Sequence, residues 1–200
     1  MSVFDELANL VRTVTDAAGP AVVAIGTRGR GTGFVVVQGK VLTNAHNLRD
    51  RTTQVTFADG RSVQAAVTGS DIDGDLVVLD VDTAGIAPLQ WADEPPGVGD
   101  IIVAITAGRH RRRAVWGQVT ATEAGFTGPR GRPITGALEH AAPSAPGSSG
   151  APVLDRDGRV VAINTHRLDY GLYLARTVDA ALRRTVDGMS EGRTFTPAVL

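Results

Sequence analysis

The chain contains no cysteine, so no disulfide can hold it and no thiolate is available as nucleophile or metal ligand. Small extracellular domains often depend on such crosslinks; here packing alone must hold 200 residues. Lysine is nearly absent: Lys40 is the single example, and every other basic side chain is arginine. The net charge is −1, and the one basic cluster, Arg109-His110-Arg111-Arg112-Arg113, has no aromatic residue interleaved to stack on bases. Nucleic acid and anionic membranes are therefore not expected partners. No stretch approaches the roughly 20 apolar residues that span a bilayer. The start, Met1-Ser2-Val3-Phe4-Asp5-Glu6-Leu7, carries acids early, unlike a secretory leader. These absences lead to the expectation of a soluble, cytoplasmic chain, with an exported mature form left open. His46, His110, His140 and His166 lack ligand spacing and no phosphate loop occurs, so no metal and no cofactor are expected.

What is present has the composition of a globular protein, 42% hydrophobic and 20% charged, and a length that suits one large all-β domain or two small barrels. Apolar residues at Val3, Leu7, Leu10, Val11 and Val14 predict a helix over 3–17, stopped by Gly19-Pro20. Short runs rich in Val, Thr and Ile follow, separated by glycine or aspartate turns: Ala21–Ile25, Gly33–Val37, Val41–Thr43, Thr53–Phe57, Ser62–Gly69 and Leu76–Val81. Residues 83–99, with Pro88, Pro95-Pro96, Gly97 and Gly99, read as a linker. A second series comprises Ile101–Thr106, Ala114–Thr120, Ile134–Leu138, Ala151–Leu154, Val160–Asn164 and Leu172–Arg176. Gly125–Pro133, rich in Gly, Pro and Arg, reads as a mobile loop. Val178–Met189 regains helical period, with Asp179 near its start and Arg183-Arg184 placed toward its end to suit the helix dipole. The predicted fold is all-β: two six-stranded antiparallel barrels with N- and C-terminal helices. The expected boundaries are 1–19 for the first helix, 20–95 and 96–177 for the barrels, and 178–200 for the last helix and tail.

Three elements carry chemistry. His46 closes the run Thr43-Asn44-Ala45-His46, Asp75 precedes Leu76-Val77-Val78-Leu79, and Ala145-Pro146-Gly147-Ser148-Ser149-Gly150-Ala151-Pro152 is a glycine-flanked serine loop. Each has a plain structural alternative: a satisfied histidine at a strand end, a turn aspartate among Asp71, Asp73 and Asp75, and an ordinary flexible loop. Their conjunction is more specific, because His, Asp, Ser is the chain order of the chymotrypsin-type triad. Serine needs a base to accept its proton as it attacks, and histidine has the pKa for that task. A carboxylate fixes the imidazole tautomer, and backbone amides turned by glycine stabilise the oxyanion.

These residues also carry a resemblance. Gly31-Thr32-Gly33-Phe34-Val35-Val36, Leu42-Thr43-Asn44-Ala45-His46, Asp75-Leu76-Val77-Val78-Leu79, Ala141-Ala142 with Pro146-Gly147-Ser148-Ser149-Gly150-Ala151-Pro152, and Gly158-Arg159-Val160-Val161-Ala162-Ile163-Asn164-Thr165 resemble the HtrA/Deg family of trypsin-like serine proteases. Val103-Ala104-Ile105 and Trp116-Gly117-Gln118-Val119-Thr120 fit the start of its second barrel. The resemblance runs from about Gly19 to Thr177. It implies a chymotrypsin-like fold and a serine endopeptidase acting on unfolded or extended polypeptide, inactive at rest until its loops order. It makes His46 the base, Asp75 rather than Asp73 the orienting acid and Ser149 the nucleophile, with Gly147, Ser148 and Ser149 around the oxyanion hole.

By the same resemblance, substrate adds as a strand along Asn164, Thr165 and His166. Segments 140–148 and 166–172 wall the primary pocket, with Ala141, Ala142 and Leu172 as an apolar lining suited to small or medium aliphatic residues. A homotrimer formed through the N-terminal segment is implied as well. The chain departs from the family pattern at Ser148, where asparagine is usual, at Ala151, where a second glycine is usual, and at His140, where aspartate is usual. Arg109–Arg113 falls among the family's regulatory loops, as do Arg130 and Arg132; its plain reading is a solvated loop. The tail 192–200 resembles the passage into the family's PDZ module, so a protease domain without that module is expected. The rival readings are a non-catalytic, protease-like binding module and, less in keeping with the β-rich text, a serine esterase.

Overall fold

A computed structural model describes residues 2–49, 51–108, 111–128, 131, 133–168 and 171–195. The first helix, α1 (Val3–Ala18), begins at Ser2, whose hydroxyl accepts the Asp5 amide while the Asp5 carboxylate accepts the Ser2 amide. This reciprocal cap satisfies two of the donors a helix start leaves open. Val14 and Ala18 are buried, and Leu10 and Val11 pack against the core. A short 3-10 turn, Gly19–Ala21, leads into β1 (Val22–Ile25), β2 (Gly31–Val37), β3 (Lys40–Asn44), β4 (Thr52–Thr56), β5 (Ser62–Asp71) and β6 (Leu76–Asp80). The order β5-β4-β1-β2-β3-β6, with β5 also paired to β6, makes a ring of six antiparallel strands.

The second half contributes β7 (Ile101–Ala107), β8 (Arg112–Thr127), β9 (Pro133–His140), β10 (Pro152–Leu154), β11 (Val160–Arg167) and β12 (Tyr173–Thr177). They close a barrel in the order β10-β11-β12-β9-β8-β7. Helix α2 (Ala180–Ser190), capped by Asp179 accepting the Leu182 amide, returns to the first ring, where β13 (Thr194–Phe195) pairs in parallel with Ser70 and Asp71 of β5. The two-barrel architecture with a helix at each end is thus the one predicted. Among the described residues no helix is long and apolar enough to cross a membrane.

Strands β2, β3 and β6 are buried along nearly their whole length, which explains why they read as continuous apolar runs rather than alternating ones. One cluster joins Ile25, Phe34, Leu42, Leu76 and Leu79 to Ile105, Leu154 and Ile163 of the second barrel and to Leu182 and Met189 of α2. The barrels therefore share apolar core across their seam. A smaller cluster, including Ile102, Val119, Leu138 and Val153, fills the second barrel.

Three expectations change. The segment 83–99 connects the barrels but is not loose: the Leu89 amide reaches Val35 O, the Ala92 amide donates to Val160 O, the Val160 amide donates to Gln90 O, and Trp91 packs edge-on to Phe34. Gly125–Pro133 is in large part strand, since β8 runs to Thr127 and β9 starts at Pro133, with Phe126 paired to Ile134. Three register shifts along this hairpin mark bulges that raise its twist, so ordering came from the partner strand and not from local composition. Pro129, Arg130 and Arg132 lie outside the described residues. Arg183 and Arg184 sit in the first half of α2 and not in its last turn, so they do not complement its C-terminal dipole; Arg183 donates instead to Ala92 O. Within the arginine cluster, Arg109 and His110 are outside the described residues, whereas Arg112 turns inward, donating from Nε and Nη2 to Val22 O at 3.2 and 2.7 Å. The tail beyond Phe195 is likewise outside them.

Candidate catalytic site

His46 sits in a 3-10 turn, Ala45–Asn47, where β3 ends. Asp75 stands immediately before β6, and β3 pairs with β6 so that Asn44 faces Leu76. This register brings the two residues together. The Asp75 carboxylate, 2% exposed, accepts the His46 amide on Oδ1 at 3.0 Å and meets His46 Nδ1 on Oδ2 at 2.6 Å. Its own carbonyl is held by the Ala45 amide at 3.1 Å and Asn44 Nδ2 at 2.9 Å. A carboxylate can only accept, so Nδ1 carries the proton and Nε2 keeps a lone pair on the side away from Asp75. Asp75 adopts the left-handed conformation, φ 56, which aspartate tolerates better than most side chains. The turn before it is closed by Asp71 Oδ1, which accepts the Gly74 amide at 3.0 Å.

Ser149 lies in the loop that precedes β10. Its carbonyl is fixed by the Thr32 amide and by Asn47 Nδ2, both at 2.9 Å, and the Gly147 carbonyl accepts Thr32 Oγ1 at 2.8 Å. The first barrel thereby grips the loop of the second from behind. Gly147 and Gly150 have φ 91 and 84, backbone open to glycine and costly for other residues. The Ser149 hydroxyl donates to the Thr165 carbonyl at 3.2 Å, and no hydrogen bond joins it to the His46 imidazole.

Among the described residues the Gly147 and Ser149 amides meet no internal acceptor, whereas the Ser148 amide is spent on Ala145 O at 3.2 Å. A donor already committed inside its own turn is not offered to a ligand, so Ser148 leaves the expected donor set through its backbone. Ala151 is fully buried, its amide on Ser148 O and its carbonyl accepting the Asn164 amide, both at 2.9 Å.

Beside Ser149 opens a cavity of about 210 Å³, walled by Ser144–Ser149, by Asn164–Arg167 and by Tyr173. Asn164, Thr165 and His166 thus border it. Ala141, Ala142 and Leu172 do not: Ala142 is packed into the core of the second barrel, the Ala141 amide is bonded to Gln118 O, and the Leu172 carbonyl holds Leu168. The wall is more polar than the sequence suggested. Tyr173 donates to Ser144 O at 2.8 Å, and behind it lies buried His140, stacked on the tyrosine ring. The Ala142 amide donates to His140 Nδ1 at 3.2 Å, so its proton is on Nε2, directed at Asn164 Oδ1 at 2.7 Å. Burial pushes this imidazole below the ordinary histidine range, with the Asn164 bond and nearby Glu139 acting the other way. A second cavity, about 220 Å³, lies between His46, Asp75 and the β8–β9 hairpin, where Phe126 stacks on His166 with centroids 5.9 Å apart.

Sequence reasoning assigned no role to Thr32, Asn47, Phe126 or Tyr173. Thr32 was visible within Gly31-Thr32-Gly33, but its bonds reach a loop more than a hundred positions away, which no local pattern reports.

The family described as "Trypsin-like peptidase domain" matches residues 31–163. "Serine protease HTRA2, mitochondrial" of Drosophila pseudoobscura pseudoobscura is 29% identical over 161 residues, covering 76% of this chain and 38% of that protein. "Protease Do-like 1, chloroplastic" of Arabidopsis thaliana is 33% identical over 160 residues, covering 69% of this chain and 33% of that protein. The chain thus spans about two fifths or less of the length of these relatives. Among solved structures, the inactive form of a serine-to-alanine mutant of Rv3671c from M. tuberculosis H37Rv superposes with a TM-score of 0.79 at 25% identity, covering 92% of this chain and 93% of that one.

Proposed function

The chain belongs to the trypsin-like peptidase domain family, and from that premise we propose that it is an HtrA-like serine endopeptidase that hydrolyses unfolded or extended polypeptide. The observation that carries this reading is the 2.6 Å contact between His46 Nδ1 and a buried Asp75 carboxylate, in a cavity that shares Thr165 and His166 with the one beside Ser149. In the proposed reaction Ser149 Oγ attacks the scissile carbonyl as His46 Nε2 takes its proton. The Gly147 and Ser149 amides receive the oxyanion, and the imidazolium returns the proton to the leaving amine, which departs and leaves the acyl group on Ser149. Water activated by His46 then releases the acid and restores the serine. Asp75 holds the tautomer and stabilises the cation. Substrate backbone would lie along Asn164–His166. In the resting form the Ser149 hydroxyl faces Thr165 O, in keeping with an enzyme that must be switched on. The same proposal includes the division into residues 1–19, 20–95, 96–177 and 178–200, and assembly as a homotrimer.

A fluorophosphonate probe tests the reading. Labelling is expected on Ser149, absent in Ser149→Ala and sharply reduced in His46→Ala. A folded wild type that neither labels nor cleaves casein would leave the binding-module reading in its place.

The primary pocket supports a selectivity. Its described walls contain no carboxylate, and Arg167 contributes a cation. Peptides with Ala or Val before the scissile bond are expected to exceed those with Lys or Arg by about tenfold or more in kcat/KM. Equal rates would show that this cavity does not receive the side chain.

A further inference from the structure

Asp75 belongs to the first barrel, yet the turn that presents it is fastened from the second. Arg176, on β12, donates from Nη1 to the Gly74 carbonyl at 2.6 Å, and the same nitrogen lies 3.7 Å from Asp71 Oδ2. Both charged side chains are mostly shielded, 19% and 16% exposed, so water screens this contact little. A Cβ at Gly74 would collide with the Arg176 guanidinium and the Asp71 carboxylate, so the guanidinium lies directly against the backbone of the turn.

We propose that Arg176 is a positioning residue for Asp75: by holding the Gly74 carbonyl it fixes the left-handed backbone from which Asp75 aims its carboxylate at His46. On its C-terminal side Asp75 is restrained by the bonds from Ala45 and Asn44 to its carbonyl. On its N-terminal side the Asp75 amide donates to Ile72 O at 3.2 Å, and Gly74 is held at its amide by Asp71 and at its carbonyl by Arg176. Without Arg176 the carbonyl of the peptide that leads into Asp75 loses its partner and the turn rests on the Ile72 and Asp71 bonds; relaxation toward ordinary φ then swings the carboxylate away from the imidazole. The inference rests on the catalytic reading of His46 and Asp75. It assigns to a residue 102 positions from Gly74 a function that no motif announces.

The signs of two effects separate positioning from simple charge. The titratable groups near the turn are Asp71 on β5, Asp73 within it, and His46 and His166 across the cleft. Removing the Arg176 cation, with nothing displaced, would favour the His46 imidazolium and raise the pH at which activity is lost to acid. Displacing Asp75 from a 2.6 Å contact takes away the partner of the imidazolium and lowers that pH. Direct contact outweighs the more distant cation, so the net shift is expected to be downward.

Arg176→Met is expected to reduce kcat about tenfold to a hundredfold with KM within about twofold, and to move the acid limb of kcat/KM to lower pH. Arg176→Lys, which can still place one N–H on Gly74 O, is expected to recover much of the loss. Asp71→Asn, which keeps an oxygen for the Gly74 amide, is expected to cost less than Arg176→Met. An acid limb that moves upward, or one unmoved while activity falls only with the folded fraction, would overturn the proposal. The downfield proton resonance of His46 Nδ1–H supplies a readout independent of turnover: it should shift or vanish in Arg176→Met and return in Arg176→Lys. A wild type with no labelling at Ser149 would sink the catalytic reading, whereas an unaltered resonance in Arg176→Met would sink this one.

Discussion

Replacing Asp75 by asparagine is expected to lower kcat by about ten-thousandfold at neutral pH while the fold persists. The size of the effect follows from two acceptor positions. Oδ1 takes the His46 backbone amide at 3.0 Å and Oδ2 takes Nδ1–H at 2.6 Å. An asparagine can keep only one oxygen. If its amide nitrogen faced the backbone N–H, two donors would meet in a buried site, so the oxygen stays there and the nitrogen turns to the ring. That nitrogen donates to Nδ1 and drives the imidazole proton to Nε2, the atom that in the proposed reaction accepts the proton from Ser149. The base is then occupied before the reaction begins. At about 1.4 kcal/mol per tenfold, the loss corresponds to roughly 5.5 kcal/mol of transition-state stabilisation. Peptide hydrolysis measured beside a thermal melt checks it. A loss under tenfold in a folded variant would mean that His46 does not depend on this partner, and its role as base would have to be given up.

The second large effect concerns stability. Gly150→Ala is expected to cost about 4 kcal/mol or more and to abolish labelling of Ser149. The residue has φ 84, and a Cβ there would run into the Thr32 carbonyl and come within 2.5 Å of Thr43 Oγ1 and 3.1 Å of the Asn44 amide. Those atoms have nowhere to go: Thr43 Oγ1 donates to Thr32 O at 2.6 Å, and the Gly150 amide is pinned to Asn164 O at 2.7 Å. Gly158→Ala is the control, since Gly158 has φ 76 but nothing within 4 Å of the added carbon. It should lose only the backbone part, about 1–2 kcal/mol. For a chain of this size the two variants should then differ by roughly 5–10 °C in melting temperature. Similar melting temperatures would show that the loop yields, and that the collision is not the reason for glycine.

The strands were legible because burial on one or both faces writes itself into short Val, Thr and Ile runs, and glycine and aspartate mark the turns between them. The β8–β9 hairpin was not, because Gly125, Gly131 and Pro133 argue locally against strand while pairing such as Phe126 with Ile134 supplies the order from a distance. The site divides in the same way. The motifs around His46, Asp75 and Ser149 are contiguous and could be read. The cavity beside Ser149 could not, because its walls come from three separated segments and the direction of each side chain is set by strand register. The family resemblance points to Ala141 and Ala142 as lining, whereas Ser144 and Tyr173 border the cavity. Arg176 and Thr32 act across the seam between barrels, where sequence distance hides spatial contact.

In the proposed reaction, the bond from the Ser149 hydroxyl to the Thr165 carbonyl bears on how the nucleophile would be armed. A peptide lying along β11 as an added strand presents its own N–H groups to the carbonyls of that edge, Thr165 among them. Once that acceptor is claimed, the serine proton would lose its resting partner, and in the proposed reaction the lone pair on His46 Nε2 would be its next destination. The ligand would thus unlatch the group that attacks it. A molecule entering the cleft without a backbone N–H would leave the latch closed, so chain-like character, and not merely a fitting side chain, would be a condition of reactivity.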